Sequence, residues 1–227
     1  MKILGIGIIM VLFATAMVFA IQPAQSWTAI ATGSYNSSPA ANLTTVAGNV
    51  TQANIAGNVS TDKWAGFWGN VAGRKVLTQG GLTNIFYKWA WTPADGGRVC
   101  LVPSTGVFTW SSAVAAVVAN IDTAWGFTAG DTDSATNTLA TSCAINVANA
   151  TITGSAGTTT GNGGGDTFQT CAINDGTTSA KGHFAFCVDI ANAGTLFNGG
   201  SGNYEVIVPA NNTIGSTETY NAWIELD

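Results

Sequence analysis

Ile85-Phe86-Tyr87-Lys88-Trp89-Ala90-Trp91 is the stretch that decides the fold class. In an extended chain successive side chains point to opposite sides, so Ile85, Tyr87, Trp89 and Trp91 share one face and Phe86, Lys88 and Ala90 the other. An aromatic stripe at period two predicts a half-buried β-strand, with Trp89 and Trp91 in the core beside Ile85. Pro93-Ala94-Asp95-Gly96-Gly97 follows as a turn, because Pro presets φ and Gly tolerates positive φ. The turn feeds a second strand over 99–102. Similar alternation marks strands at 184–190, 204–208 and 219–226.

Outward from these strands, Gly-Asn-Val recurs at Gly48, Gly57 and Gly69. Such short segments between turn residues suit a meander of strands, while their unequal spacing excludes a solenoid. Cys-Ala-Ile-Asn occurs at Cys143 and again at Cys171, and both copies read as strand openings. One segment has helical spacing instead: Ser112 as the cap, then Val114, Val117, Val118 and Ile121, ending near Trp125-Gly126. Residues 154–166, rich in Gly and Thr, read as a flexible loop inside the domain. The expected architecture is all-β, an antiparallel β-sandwich of Ig-like or jelly-roll-like kind with one short helix. It occupies residues 27–227 as a single domain.

Composition supports this reading. Charged residues make up 8% of the 227-residue chain, against roughly 25% in an average soluble domain. Lys and Glu, the usual fillers of exposed helix faces, are scarce. The net charge is −5. Beyond Lys2, the basic residues Lys63, Arg74, Lys75, Lys88, Arg98 and Lys181 are spread along the sequence without a stripe for phosphate, which argues against nucleic acid as a partner.

The N-terminus carries an address. Lys2 precedes an unbroken apolar run over 3–20, followed by small-residue cleavage sites at Val18-Phe19-Ala20 and Ala24-Gln25-Ser26. Residues 1–26 are therefore expected to be a secretory signal peptide. An uncleaved N-terminal membrane anchor and pilin-type processing after Gly5 are the alternatives, and the leader is the expected membrane contact if it stays uncleaved.

Export brings oxidation. Cys100, Cys143, Cys171 and Cys187 all lie beyond the leader, and an even number in an exported chain reads as two disulfides. Three pairings satisfy the sequence. Cys171–Cys187 with Cys100–Cys143 is the favoured one, because the first pair can face across a local hairpin. A zinc site is disfavoured, since no Cys-x-x-Cys spacing exists and His183 is the sole histidine. Six N-x-S/T sequons, at Asn36, Asn42, Asn49, Asn58, Asn149 and Asn211, mark glycosylation candidates.

Catalytic chemistry is thinly represented. Any Ser-His-Asp triad must use His183, and there is no Gly-x-Ser-x-Gly elbow, phosphate loop or haem motif. The chain is expected to be non-enzymatic and to need no cofactor. Asp131, Asp133 and Asn137 place oxygen ligands at near-alternate positions, which makes calcium the one cation to consider. The competing reading is a polar loop of Asx turns. Eight tryptophans either fill a broad core or stack on sugars. Trp64 and Trp68, whose period is unclear, are the candidates for glycan stacking.

Three stretches carry a resemblance: Thr61-Asp62-Lys63-Trp64-Ala65-Gly66-Phe67-Trp68-Gly69-Asn70-Val71; Asp122-Thr123-Ala124-Trp125-Gly126-Phe127 with Ala135-Thr136-Asn137-Thr138; and Tyr204-Glu205-Val206-Ile207-Val208-Pro209 with Thr217-Glu218-Thr219-Tyr220. Together they resemble a group of uncharacterised archaeal secreted cell-surface proteins built from one leader and one β domain. The resemblance implies an envelope or extracellular-filament subunit and brings no enzymatic site. The expected function is thus a secreted structural protein that polymerises with its own copies through β-strand contacts. Trp27-Thr28-Ala29-Ile30-Ala31 is the candidate donor strand, against an ordinary first strand in its own sheet. A glycan-binding adhesin module is the alternative.

Overall fold

A computed structural model of the chain describes residues 21–34, 40–79, 84–161, 168–177, 180–210 and 217–227. The apolar run of the leader, Asn36 and Asn211 lie outside these residues.

The chain is mostly strand. In order it forms β1 (Gln22–Pro23), β2 (Trp64–Gly69), β3 (Arg74–Thr78), β4 (Ile85–Ala90), β5 (Gly97–Pro103), β6 (Val114–Ala115), α1 (Val118–Trp125) and α2 (Ala135–Thr138). There follow β7 (Thr141–Val147), β8 (Ala150–Thr160), β9 (Phe168–Asn174), β10 (Phe184–Asp189), β11 (Gly194–Thr195), β12 (Ser201–Gly202), β13 (Tyr204–Pro209) and β14 (Tyr220–Leu226). The main sheet runs β1-β14-β5-β10-β9-β8-β7, with β6 added to β9. All of its strand pairings are antiparallel.

Its centre is buried on both faces. Val99 and Leu101 of β5, Phe184, Phe186 and Val188 of β10, and Ala172 of β9 point into one core with Ile121 and Trp125 of α1. The intervening Cys100, Val102, Ala185, Cys187, Cys171 and Ile173 point into a second core with Phe108, Trp110 and Ile152. Double burial explains why Phe184-Ala185-Phe186-Cys187-Val188 reads as a continuous apolar run. The first core is covered by β13, which pairs with β2 and crosses β10 and β9. This second layer of two strands makes the fold compatible with a sandwich of unequal sheets.

β4 departs from the expected burial. Among the described residues it pairs only with β3, as a separate two-stranded sheet. Tyr87 and Trp89 remain about half exposed, and Trp91, one residue past the strand, turns back into the core. Its indole N–H donates to the Gly96 carbonyl at 2.9 Å. Period two located the strand correctly but assigned Trp89 to the wrong side of the protein surface.

Two further expectations shift. α1 starts at Val118, because Val114 and Ala115 pair with Asn174 and Ile173 of β9 as strand β6. β-Branched side chains accept either state, and the sheet edge was available. Its end is as read: Gly126 adopts the left-handed conformation (φ 71°) that closes the helix. The second short helix, α2, has Ser134 as its cap. The expected loop over 154–166 is strand as far as Thr160, where Thr158, Thr159 and Thr160 face Thr170, Gln169 and Phe168. The domain also begins earlier than Trp27. Ile21 is 2% exposed in the second core, and Gln22 and Pro23 pair with Ile224 and Trp223.

Both disulfides form, with a pairing other than the favoured one. Cys187 lies in register with Cys100 on one side and Cys171 on the other. It bonds to Cys100, whose Cα is 4.0 Å away. Cys171 bonds instead to Cys143, Cα to Cα 5.8 Å. That bridge passes over β8 at Gly157, where a Cβ would stand 2.8 Å from the Cys143 sulfur and 2.8 Å from the Thr170 carbonyl. Only glycine leaves room for the crossing. Gly157→Ala is expected to cost about 1–3 kcal/mol through overpacking, read by denaturant unfolding of the oxidised protein. Peptide mapping without reduction should then recover the Cys100–Cys187 and Cys143–Cys171 peptides from wild type.

Candidate functional site

Three surfaces bear on function: the start of β2, the long segment before it and the β3–β4 hairpin. At the first, Lys63 sits where a cation would stand among the calcium candidates. Its ammonium lies 2.5 Å from Asp133 Oδ1, 3.1 Å from Asp131 Oδ2 and 3.8 Å from Asp62. Thr61 Oγ1 donates to the other Asp133 oxygen at 2.8 Å. Asn137 points elsewhere, its amide donating to the Asp131 carbonyl. The hydrogen bond to Asp133 outweighs burial and pushes the Lys63 pKa up to about 12. The Lys63 bond correspondingly holds the Asp133 carboxyl below its ordinary range. The loop is thus organised by an internal cation and by capping bonds. Asp122, buried in α1, accepts from the Ala135 and Thr136 backbone N–H groups at 2.6 and 3.2 Å and so anchors α2.

The two glycan-stacking candidates separate. Trp64 is built into this network: its indole donates to the Asp133 carbonyl at 2.7 Å, and its ring packs on Phe127. Trp68 is 47% exposed and forms an edge-to-face pair with the exposed Phe197, ring centroids 5.7 Å apart. Phe197 was not singled out in the sequence, since it lies in an Asn- and Gly-rich turn with no period to place it.

His183 contacts Asp175 at 2.9 Å through Nδ1. The same carboxylate accepts from the Thr109 and Thr177 backbone N–H groups. Burial works against its charge, but these bonds prevail and hold the Asp175 pKa below the usual value. The pair pins two loops together. All four cysteines are consumed in disulfides, which leaves no thiol nucleophile. Among the described residues no His, Cys, Asp and Glu cluster suits a metal ion.

Between β1 and β2 runs an arm with little regular structure. Every described residue from 25 to 61 is exposed, among them Ile30, Val50, Ile55 and Val59 with essentially no cover. Trp27, at the head of the expected donor strand, stacks on Phe67 of its own chain at 4.8 Å. The segment 27–31 forms no strand. Asn42, Asn49 and Asn58 are exposed on the arm, and Asn149 is exposed in the tight β7–β8 turn with φ 64°. These four sequons are sterically open to modification.

The third surface was not expected. Arg74, Lys75 and Lys88, scattered in sequence, gather on the β3–β4 hairpin with Leu77, Phe86, Tyr87 and Trp89. A sequence signal existed: residues 63–94 hold four of the chain's basic residues and no carboxylate.

Two disulfides fit an oxidising, extracellular-type environment. Among the described residues no helix is long and apolar enough to cross a membrane. No family model, curated protein or solved structure matches the chain, so the resemblance to archaeal surface proteins rests on the quoted residues alone.

The Lys63 centre makes a pH prediction. A lysine whose pKa is raised on folding adds stability that is fully present below about 10.5 and is lost as the pH rises through about 12. Lys63→Met should lower unfolding free energy by about 1–2 kcal/mol at neutral pH. Denaturant melts at increasing pH should show the gap to wild type closing above about pH 10.5.

Proposed function

We propose that this chain is a secreted structural subunit of the cell surface that assembles with its own copies into a filament or envelope layer. The observation that carries the reading is the arm between β1 and β2, whose apolar side chains Ile30, Val50, Ile55 and Val59 stand in solvent while both of its ends are tied into the fold. Loops of this length are uncommon in compact domains unless they have a task. Burying Val50, Ile55 and Val59 is favourable by the hydrophobic effect, and a sheet edge on a neighbour supplies the backbone partners.

An acceptor edge exists on the same molecule. β7 ends the main sheet and, among the described residues, pairs with no strand but β8 along Thr141–Val147, with the Ser142 carbonyl accepting from the Gln169 side chain. At the opposite edge, β1 covers β14 over two residues. A terminal strand such as β7 is a template for strand addition. With Trp27 committed to Phe67, the donor is drawn from the Gly-Asn-Val repeats of the arm. The low charge of the chain makes such close packing inexpensive. Its export and its glycosylation at the open sequons belong to the same reading.

Sedimentation velocity and negative-stain microscopy of the exported chain test this. Wild type should form polymers that grow with concentration, and deletion of residues 41–59 should leave a folded monomer. A wild-type chain monomeric at every concentration would overturn the reading.

A second reading has its own observation. The exposed Trp68–Phe197 pair offers two aromatic surfaces at one place, as sugar-stacking sites do. If the chain is a glycan-binding adhesin, Trp68→Ala should lower binding on a glycan array at least tenfold, while Trp64→Ala should chiefly lower stability.

A further inference from the structure

The β3–β4 hairpin is anomalous as a piece of a folded domain. It is a two-stranded sheet of its own, and such ribbons are marginally stable in water. Its apolar residues are not turned inward: Leu77 is 51% exposed, Phe86 83%, Tyr87 56% and Trp89 49%. Cross-strand pairing puts Leu77, Tyr87 and Trp89 on one face with Lys75, and Val76 on the other with Arg74 and Lys88. A contiguous aromatic surface on a protruding ribbon marks an interaction site.

Its charge identifies the partner. The hairpin carries three cations and no carboxylate, while the whole chain has seven basic residues against twelve acidic ones. The remaining cations beyond the leader are already engaged: Lys63 with Asp131 and Asp133, Arg98 with Asp189 and Asp227, and Lys181 with Glu218. Arg74, Lys75 and Lys88 have no ion pair within 4 Å among the described residues. A surface that complements this ribbon exists on the same protein. Around Lys63, three carboxylates share one ammonium, and Asp62 and Asp131 keep 36% and 46% of their side-chain surface open.

The two surfaces are held apart on one chain. The carboxylates lie at the start of β2 and the hairpin leaves from its far end, six strand residues or about 20 Å away. Packing marks the same polarity, because Tyr220 at the head of β14 bonds the Pro209 carbonyl beside the β2 start, whereas Leu226 at its tail lies against Gly73 at the hairpin base. They can therefore meet only between molecules. A contact between unlike surfaces at opposite ends propagates head to tail, and it generates a filament wherever its rotation does not close a ring.

We propose that the β3–β4 hairpin seats on the carboxylate pole around Asp62, Asp131 and Asp133 of a second copy of this chain, as the head-to-tail contact of the assembly. The proposal rests on the self-assembly reading and adds its polarity. Lys75 supplies the attraction beside Leu77, Tyr87 and Trp89, which supply the buried area, and Lys88 adds steering from the other face of the ribbon.

A charge-swap complementation tests it on the exported full chain. Lys75→Glu with Lys88→Glu should raise the concentration needed for polymers at least tenfold, and Asp62→Lys with Asp131→Lys should do the same. An equimolar mixture of the two variants should polymerise again, because each reversed surface meets its reversed counterpart; that recovery also shows both variants to be folded. Polymerisation of either variant at the wild-type concentration, or a mixture that stays monomeric, overturns the hairpin contact while leaving self-assembly intact. A monomeric wild type overturns both. If the hairpin variant polymerises normally but loses binding to an anionic polysaccharide, the occupant is a polyanion and the proposal fails.

Discussion

Burial of both faces of β10 is the constraint on which the rest of the structure depends. Phe184, Phe186 and Val188 fill one core while Ala185 and Cys187 fill the other, and all five are essentially inaccessible to water. Such a strand must be covered twice. One cover is α1 with β13, and the other is the layer of Phe108, Trp110 and the folded-over β7–β8 hairpin. The two cysteine bridges sit within that second layer, and the glycine in β8 is a consequence of where they cross. Trp223 and Trp110 extend the same layer to β14.

What the sequence disclosed follows from that constraint. Strong strands near the centre were legible at 184–190, 204–208 and 219–226, since each carries more apolar surface than a loop can hide. The left-handed glycine after Trp125 was equally plain, because helix termination is local chemistry. Facing was not legible. Trp89 alternates correctly, yet whether its face meets a core depends on a layer that the hairpin does not receive. Cysteine pairing failed for a similar reason: Cys187 has a cysteine in register on each side, and sequence distance cannot choose between flanking strands. Trp64 and Asp133 were each noticed separately, as a sugar platform and a cation ligand. Their actual relation, with Lys63 between the loop and the strand, joins residues about seventy positions apart and leaves no local trace.

Charge is scarce in this protein, and nearly all of it is used. Arg98 ties the ends of β10 and the chain terminus together through Asp189 and Asp227. Buried Glu225 accepts from the Ala148 N–H at the β7–β8 turn, and burial raises its pKa above the ordinary value. Against that economy, Arg74, Lys75 and Lys88 stand out as cations without an ion pair among the described residues, and the arm's valines as apolar groups left in solvent. Both features point outward, one through charge and one through backbone edges.

The nested arrangement of the two bridges has a mechanical consequence. Load pulling on the two termini reaches Cys100 and Cys187, 87 positions apart, and passes directly between them, bypassing the intervening chain. About 300 Å of contour is thereby withheld from unravelling. The Cys143–Cys171 bridge lies wholly inside the bypassed segment and carries none of the tension. A fibre of such units would release only the chain before Cys100 and after Cys187 and would then become abruptly stiff, because the load would rest on a covalent bond.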